Sequence, residues 1–406
     1  MTETTNAVRR PGVAQGITVV GAGFLPLLAI VSMFPAVPAI IAHFSSDATA
    51  TTKVPAMVSA PGLTIALLAL FAGVAVDRFG RRPLLLVSTG LYGFLGAAPF
   101  FMDNLDHVYA SRLLLGVAEA AILTTINTLI GDYWDEAGRR RWLAIQGIAG
   151  PFMGSGVILA SGLLTAMQWN AVFLIYTVSF PIFFAMLAWM YEPASDATAR
   201  RMLGMDEDSS TPFPMGGVVL FGVVTLLSAI LYYVFIINGG LVWQELGVTD
   251  PARIGQLTTI PSLFVILGAV IFWATGRFGP RVQLTTFLLL LGTGLSLIGM
   301  ARDWRWMVVA MAVQQTGAGM AVPSLIAWAQ SYLPFAHRGR GMGVWTACFF
   351  FGQFASPLIV SAVRVGLGSM QAAFLAAGLA GLALALVAFL LLSMRQPASG
   401  AAPAGA

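Results

Sequence analysis

Long apolar stretches dominate the sequence, and they constrain the fold more than any other feature. Twelve of them reach the roughly 20 residues that a helix needs to cross about 30 Å of hydrocarbon. They lie at 16–42, 54–76, 83–102, 107–131, 143–166, 169–191, 215–238, 252–276, 281–300, 304–333, 341–365 and 370–393. Only 9% of the residues are charged, against about 25% in soluble domains. The sequence therefore predicts an all-α membrane protein and excludes a soluble, disordered, coiled-coil or nucleic-acid-binding chain.

The arginines are distributed unequally between the two ends of these stretches. Fifteen of the 21 basic residues fall at one end and five at the other. Because short cytoplasmic loops accumulate Lys and Arg, the richer end is expected to be cytoplasmic. An even number of spans then places both termini in the cytoplasm, and we expect a multi-pass protein of a bacterial inner membrane.

The longest connection divides the chain into two groups of six spans. It covers residues 192–214 and is rich in Ser, Asp, Ala and Pro. The predicted units are therefore an N-terminal bundle (1–191), a cytoplasmic linker (192–214), a C-terminal bundle (215–395) and a disordered tail (396–406). No loop is long enough for an appended catalytic module.

The two halves also repeat each other. A shift of 199 residues aligns the Arg-Phe-Gly segment 78–80 with 277–279, and it aligns Tyr and Arg positions of segment 133–141 with those of 332–340. One shift that satisfies two separate loops indicates duplicated bundles, which are common in transporters.

The loop after the second predicted span carries a specific motif. It combines a glycine, an Asp-Arg pair and a Gly-Arg-Arg run: Gly73, Asp77, Arg78, Gly80, Arg81 and Arg82. This pattern resembles the signature of the major facilitator superfamily, which implies two pseudo-symmetric six-helix bundles that transport by alternating access. Gly73 would allow close helix contact and Gly80 a tight turn. We interpret Asp77 and the arginines as a latch that holds the cytoplasmic side shut, in addition to determining topology.

The fourth predicted span contains Arg112 and, seven residues later, Glu119. Seven residues are about two helical turns, so both side chains project from one face. Glu119 is the one acidic residue placed inside a predicted span, where a carboxylate is costly and typically functional. A change in its hydration or in its distance from Arg112 would alter its protonation. This favours proton coupling over a structural or substrate-binding role, both of which stay open.

The fifth predicted span contains Gly150, Pro151 and Gly154. These residues resemble the glycine-proline motif of drug/proton antiporters, although Gln146 and Ser155 stand where that motif has glycines. Small residues and proline also serve helix packing in general. The motif favours export.

Spans 1, 4, 7 and 10 surround the central cavity in this superfamily, so their polar and aromatic residues are candidate substrate contacts. They are Asn127, Tyr232, Tyr233, Asn238, Gln314, Gln315 and Trp328. With few fixed charges, we expect a mainly apolar, uncharged or singly charged small-molecule substrate.

The remaining signals are negative. The three histidines have no metal-ligand spacing, the single cysteine allows no intramolecular disulfide, and no phosphate-binding loop is present. We therefore expect no enzyme activity, metal or cofactor, and a monomer in the lipid bilayer. The predicted function is proton-coupled efflux of small amphipathic molecules. The alternatives are a symporter that imports an organic acid or sugar and, more remotely, a non-transporting membrane sensor.

Overall fold

The computed structural model describes residues 11–69, 71–193, 213–333 and 337–394. Within these ranges the chain forms sixteen α-helices and no β-strand. Those of the first half are α1 (Val13–Gly23), α2 (Leu25–Val31), α3 (Val37–His43), α4 (Ala50–Leu68), α5 (Ala72–Phe79), α6 (Arg81–Ala97), α7 (Leu105–Tyr133), α8 (Glu136–Met167) and α9 (Ser179–Trp189). Those of the second half are α10 (Met215–Glu245), α11 (Pro251–Ser262), α12 (Val265–Thr275), α13 (Gly279–Gly299), α14 (Trp304–Ser331), α15 (Arg338–Leu367) and α16 (Met370–Met394). Short 3₁₀ helices form at Ala98–Phe101, Ala171–Val178 and Gly276–Phe278.

Helices cover all twelve predicted spans, and the all-helical membrane fold is confirmed. Nine stretches of the described residues are long and apolar enough to cross a membrane. One of the nine, Pro251–Gly299, has 49 residues and contains two predicted spans. A count of twelve spans requires that this stretch is divided into two. It also requires two spans that are not among the nine, one formed by α4 with α5 and one formed by α14. Most of the predicted linker (194–212) and the whole predicted tail lie outside the described residues.

The first predicted span is three short helices rather than one. Proline occupies the first turn of both α2 and α3, at Pro26 and Pro38. Because proline lacks an amide hydrogen, it is favoured in the first turn of a helix, although Pro55 and Pro61 of α4 and Pro151 of α8 lie inside continuous helices. The interruptions at Phe24 and at residues 32–36 lie directly before the two helices that begin with proline in their first turn.

The structure reproduces the 199-residue repeat. Gly80 and Gly279, one shift apart, have φ angles of 82° and 83°, which a side chain would strain. Asn104 and Asp303, also one shift apart, both cap the N-terminus of the following helix with a side-chain oxygen. The duplicated bundles are therefore confirmed at the level of individual turns and caps.

The two bundles touch at the ends of the helices that are poor in arginine. There, α4 packs against α15, α8 against α11, and α3 against α10. The approach is close enough to exclude side chains. A Cβ added at Gly162 of α8 would lie 2.6 Å from the Pro251 carbonyl oxygen, and one at Gly62 of α4 would lie 2.9 Å from that of Phe350.

Candidate functional site: a cavity between the bundles

A cavity of about 1250 Å³ lies between the two bundles, beyond the end where they touch. Its walls come from α2, α8, α10, α11, α12 and α14. Its volume exceeds the ~300–1,000 Å³ of ordinary ligand pockets, so it can hold a drug-sized molecule. The polar side chains in its lining are Gln146, Ser155, Tyr232, Thr258, Ser262 and Gln315. Among the described residues that line it, none is acidic, basic or histidine, and a mainly apolar ligand fits such a surface.

The structure places part of the predicted substrate contacts in this lining. Tyr232 and Gln315 line the cavity, as do the span-five residues Gly150, Pro151 and Gly154. The predicted contacts that are buried outside the lining are Tyr233, Asn238, Gln314 and Trp328. Asn127 is exposed on α7 and also lies outside the lining. Substrate contact by all seven residues stays a prediction.

Tyr233 and Gln314 show what these buried residues contact. Tyr233 packs against Tyr232 and Phe349, with ring centroids 4.9 and 5.5 Å away. Gln314 is 0% exposed, and both polar atoms of its amide lack a hydrogen-bond partner among the described residues. A buried amide without a protein partner is costly, and no ligand in the cavity touches this one directly, because Gln314 lies outside the lining.

Arg112 is almost fully buried against aromatic rings. Its guanidinium carbon lies 4.6 Å from the centroid of Tyr176 and 4.8 Å from that of Phe173. A planar, weakly hydrated guanidinium stacks well on such faces. The Met33 sulfur lies 4.0 Å from one of its terminal nitrogens. Cation–π contact with these two rings therefore stabilises Arg112.

Glu119 lies two turns further along α7 and is 2% exposed. Its Oε1 has no hydrogen-bond partner among the described residues. Within the described part of the chain, Arg112 and Glu119 do not approach closely enough to form an ion pair. Glu119 is thus a buried acidic group that Arg112 does not pair with directly.

Two acidic residues that were not among the predicted site residues bind the arginines of the loop motif. The Nε of Arg81 lies 3.0 Å from a carboxylate oxygen of Asp132 at the end of α7. The two oxygens of Glu192 accept the backbone N–H groups of Arg81 and Arg82, each at 2.7 Å. Glu192 therefore caps α6, where a negative charge is favourable.

Three further observations complete this motif. The Nε of Arg82 donates to the Met190 carbonyl at 2.8 Å. Arg78 is exposed, with its guanidinium 5.9 Å from the Phe79 ring centroid. The side chain of Asp77 lies outside the described residues, so the proposed latch function of the motif stays a prediction.

Comparison with known proteins shows one family across nearly the whole chain. The model of the Major Facilitator Superfamily matches residues 19–243 and again 219–406. A "Gallate transporter" of Pseudomonas putida is 25% identical over 348 residues, covering 77% of each chain. "Enterobactin exporter EntS" of Escherichia coli O1:K1 / APEC is 27% identical over 356 residues, covering 80% of this chain and 78% of that one.

A solved structure shows the same fold. It is the crystal structure of a mutant of the nucleoside transporter NupG, which superposes with a TM-score of 0.71 at 13% sequence identity. The match covers 94% of this chain and 100% of the other. All three proteins are named as transporters, and none as an enzyme.

Proposed function

Because the chain belongs to the Major Facilitator Superfamily and is a membrane transporter, we propose that it is a secondary active exporter of small amphipathic molecules, driven by protons. The cavity supports the substrate class, since it is large, mainly apolar and lined by uncharged side chains. A highly charged substrate would leave its charges unpaired there, which is costly.

The buried carboxylate of Glu119 is the observation that carries proton coupling. An acidic group inside a membrane span has either to be neutral or to find a partner. Glu119 lacks a hydrogen-bond partner at one oxygen and has Arg112 on the same helix. Movement of the bundles changes hydration at such a site, so proton uptake and release can follow the conformational cycle.

Export is supported by the fifth span. Gly150, Pro151 and Gly154, which resemble the antiporter motif, lie in the cavity wall itself. A relative named as an exporter agrees with this direction.

Import of an organic acid by proton symport is the second candidate function. It is favoured by a relative named as a gallate transporter, and the same Glu119 would then carry the symported proton. A carboxylate substrate would need a positive partner, and Arg112 is buried outside the cavity lining, which weakens this candidate.

The proposed orientation places the arginine-rich ends of the helices in the cytoplasm of a bacterial cell, in its inner membrane. The bundles touch at the opposite ends. In that orientation the structure is closed to the outside, and its cavity belongs to an inward-facing state. We propose that the transporter works as a monomer.

The test is transport into and out of proteoliposomes with an imposed pH gradient. Chloramphenicol serves as a neutral amphipathic probe and gallate as an organic acid, each in the parent protein and in Glu119→Gln. We expect gradient-driven chloramphenicol flux against the direction of proton flow, and its loss in the variant. Asp106→Asn, an exposed acid at the start of the same helix, should behave like the parent.

Two outcomes would decide against the proposal. Undiminished gradient-driven flux in Glu119→Gln would show that proton coupling does not require Glu119. Gallate flux in the same direction as protons, without chloramphenicol flux, would establish the importer instead.

A further inference from the structure

The two helices on one edge of the bundle interface contact each other over only part of their length. In the half that is poor in arginine, Ser155 and Gly162 of α8 lie against Ser262 and Gly255 of α11. The cavity begins within this contact region, at Ile158 and Thr258, and toward the arginine-rich end it is lined by α8 from Ala144 onward and by α12 as far as Trp273. The helices therefore diverge toward the arginine-rich end, and the cavity lies between them.

Large apolar side chains line both sides of the gap between α8 and α12. Ile148 and Phe152 of α8 are 67% and 57% exposed, and Val270 and Trp273 of α12 are 53% and 82% exposed. All four also line the cavity. Side chains that line a cavity and yet are mostly exposed mark an opening rather than a closed wall.

The opening lies at the depth of the lipid chains. Ile148 and Phe152 stand near the middle of α8, which has 32 residues and so exceeds the thickness of the hydrocarbon core, about 30 Å. Val270 lies in the middle of the apolar helix α12, whereas Trp273 stands two residues from its end, close to the arginine-rich surface. In the proposed membrane placement, Ile148, Phe152 and Val270 therefore face the lipid chains, and Trp273 faces the interface between lipid and water.

From this geometry we propose that the gap between α8 and α12 is a lateral entrance, through which ligands pass between the cavity and the adjacent membrane leaflet. The ligand is an amphipathic molecule that partitions into the bilayer, with an apolar body and few hydrogen-bonding groups. A charged side chain would lose its hydration when such a molecule passes, which is costly, and the described lining contains none. Inside, Gln315 and Tyr232 offer the polar contacts.

This inference deepens the proposed function, because it gives the route of the proposed substrate class. It does not depend on the direction of transport or on proton coupling. The test accordingly uses no gradient and measures entry alone.

The test follows chemical labelling of one cysteine at the back of the cavity. Cys348 is replaced by Ala and Gln315, on α14, by Cys, and the full chain is placed in lipid nanodiscs. Two maleimides are compared: N-pyrenylmaleimide, which partitions into the bilayer, and a membrane-impermeant sulfonated stilbene maleimide, which stays in water. Ile148→Trp with Val270→Trp narrows the proposed entrance. We expect this pair to slow labelling by the pyrene reagent at least fivefold and that by the sulfonated reagent less than twofold.

The matched control changes exposed residues of the same helices that do not line the cavity. Met153→Trp with Leu267→Trp adds the same bulk at 43% and 45% exposed positions and should leave both labelling rates unchanged. Equal slowing of both reagents by the entrance pair, or no slowing of the pyrene reagent, would overturn the proposal.

Discussion

The hydroxyl oxygens of Ser155 and Ser262 lie 2.6 Å apart and join α8 of the first bundle to α11 of the second by a buried hydrogen bond. Ser155 stands where the antiporter motif has a glycine. One of the two residues that depart from the motif therefore bonds the bundles together where they touch.

Removal of this bond should favour separation of the bundles. We expect Ser155→Ala to destabilise the closed arrangement by about 0.5–1.5 kcal/mol, the usual net contribution of such a bond, which is a shift in its population of up to about tenfold. Distances between spin labels at Ser46 and Thr249, in loops of the two bundles at that end, measure the shift. Thr259→Ala is the control, since that hydroxyl bonds within its own helix. Should Ser155→Ala and Ser262→Ala act additively in the double variant, the bond between them is not the cause.

A side chain at Gly162 should hold the same end open. The added methyl of Gly162→Ala would lie 2.6 Å from the Pro251 carbonyl oxygen, whereas one at Gly156 of the same helix meets nothing within 4 Å. We expect Gly162→Ala to lower the transport rate severalfold and to lengthen the distance between the spin labels. Gly156→Ala should change neither quantity. Equal behaviour of the two variants would show that helix propensity, not contact between the bundles, is responsible.

The stacking of Arg112 on Tyr176 and Phe173 predicts that lysine cannot replace it. Arg112→Lys keeps the charge but loses the planar stack, and we expect a loss of about 1–2 kcal/mol in the free energy of unfolding. The midpoint of thermal unfolding in detergent measures this change. Arg253→Lys is the control, because its exposed guanidinium lies 5.9 Å from the Trp304 ring centroid. A lysine variant at position 112 as stable as the parent would show that charge alone suffices there.

The cap provided by Glu192 should contribute measurably to stability. Glu192→Ala removes both acceptors at the start of α6, and we expect a cost of about 1 kcal/mol, seen as a lower midpoint of thermal unfolding. Glu192→Gln keeps one acceptor oxygen, so its midpoint of thermal unfolding should lie between those of the parent and the alanine variant. Glu245→Ala should reproduce the effect at the opposite end, since Glu245 accepts the N–H groups of Met370 and Gln371. If the alanine and glutamine variants were indistinguishable from the parent, the cap would contribute nothing.

The features that could be predicted from the sequence are local or periodic. Apolar stretches of membrane-spanning length give the helices, and the 199-residue shift gives the duplicated bundles. The turn at Gly80 could be predicted because its conformation depends only on residues that are neighbours in the sequence. Breaks within the first predicted span were missed, although Pro26 and Pro38 carried the signal.

The features that could not be predicted depend on residues far apart in the chain. Glu192 caps a helix that begins more than 100 residues earlier, and Ser262 meets Ser155 from the other bundle. No local pattern marks either pairing. The cavity shows the same limit, because Gln314 and Gln315 are neighbours in sequence and only Gln315 reaches the lining.

The contact between Gly162 and Gly255 also affects the entropic cost of closing this end of the protein. At this point backbone meets backbone, so closing it immobilises no side chain and costs no rotamer entropy. A joint built from long side chains would have to find one set of rotamers again in every transport cycle. At Gly162 and Gly255 each return requires only that two backbones approach, and the neighbouring hydrogen bond involves only the short side chains of Ser155 and Ser262. Such a contact suits the proposed cycle, in which this end opens and closes repeatedly.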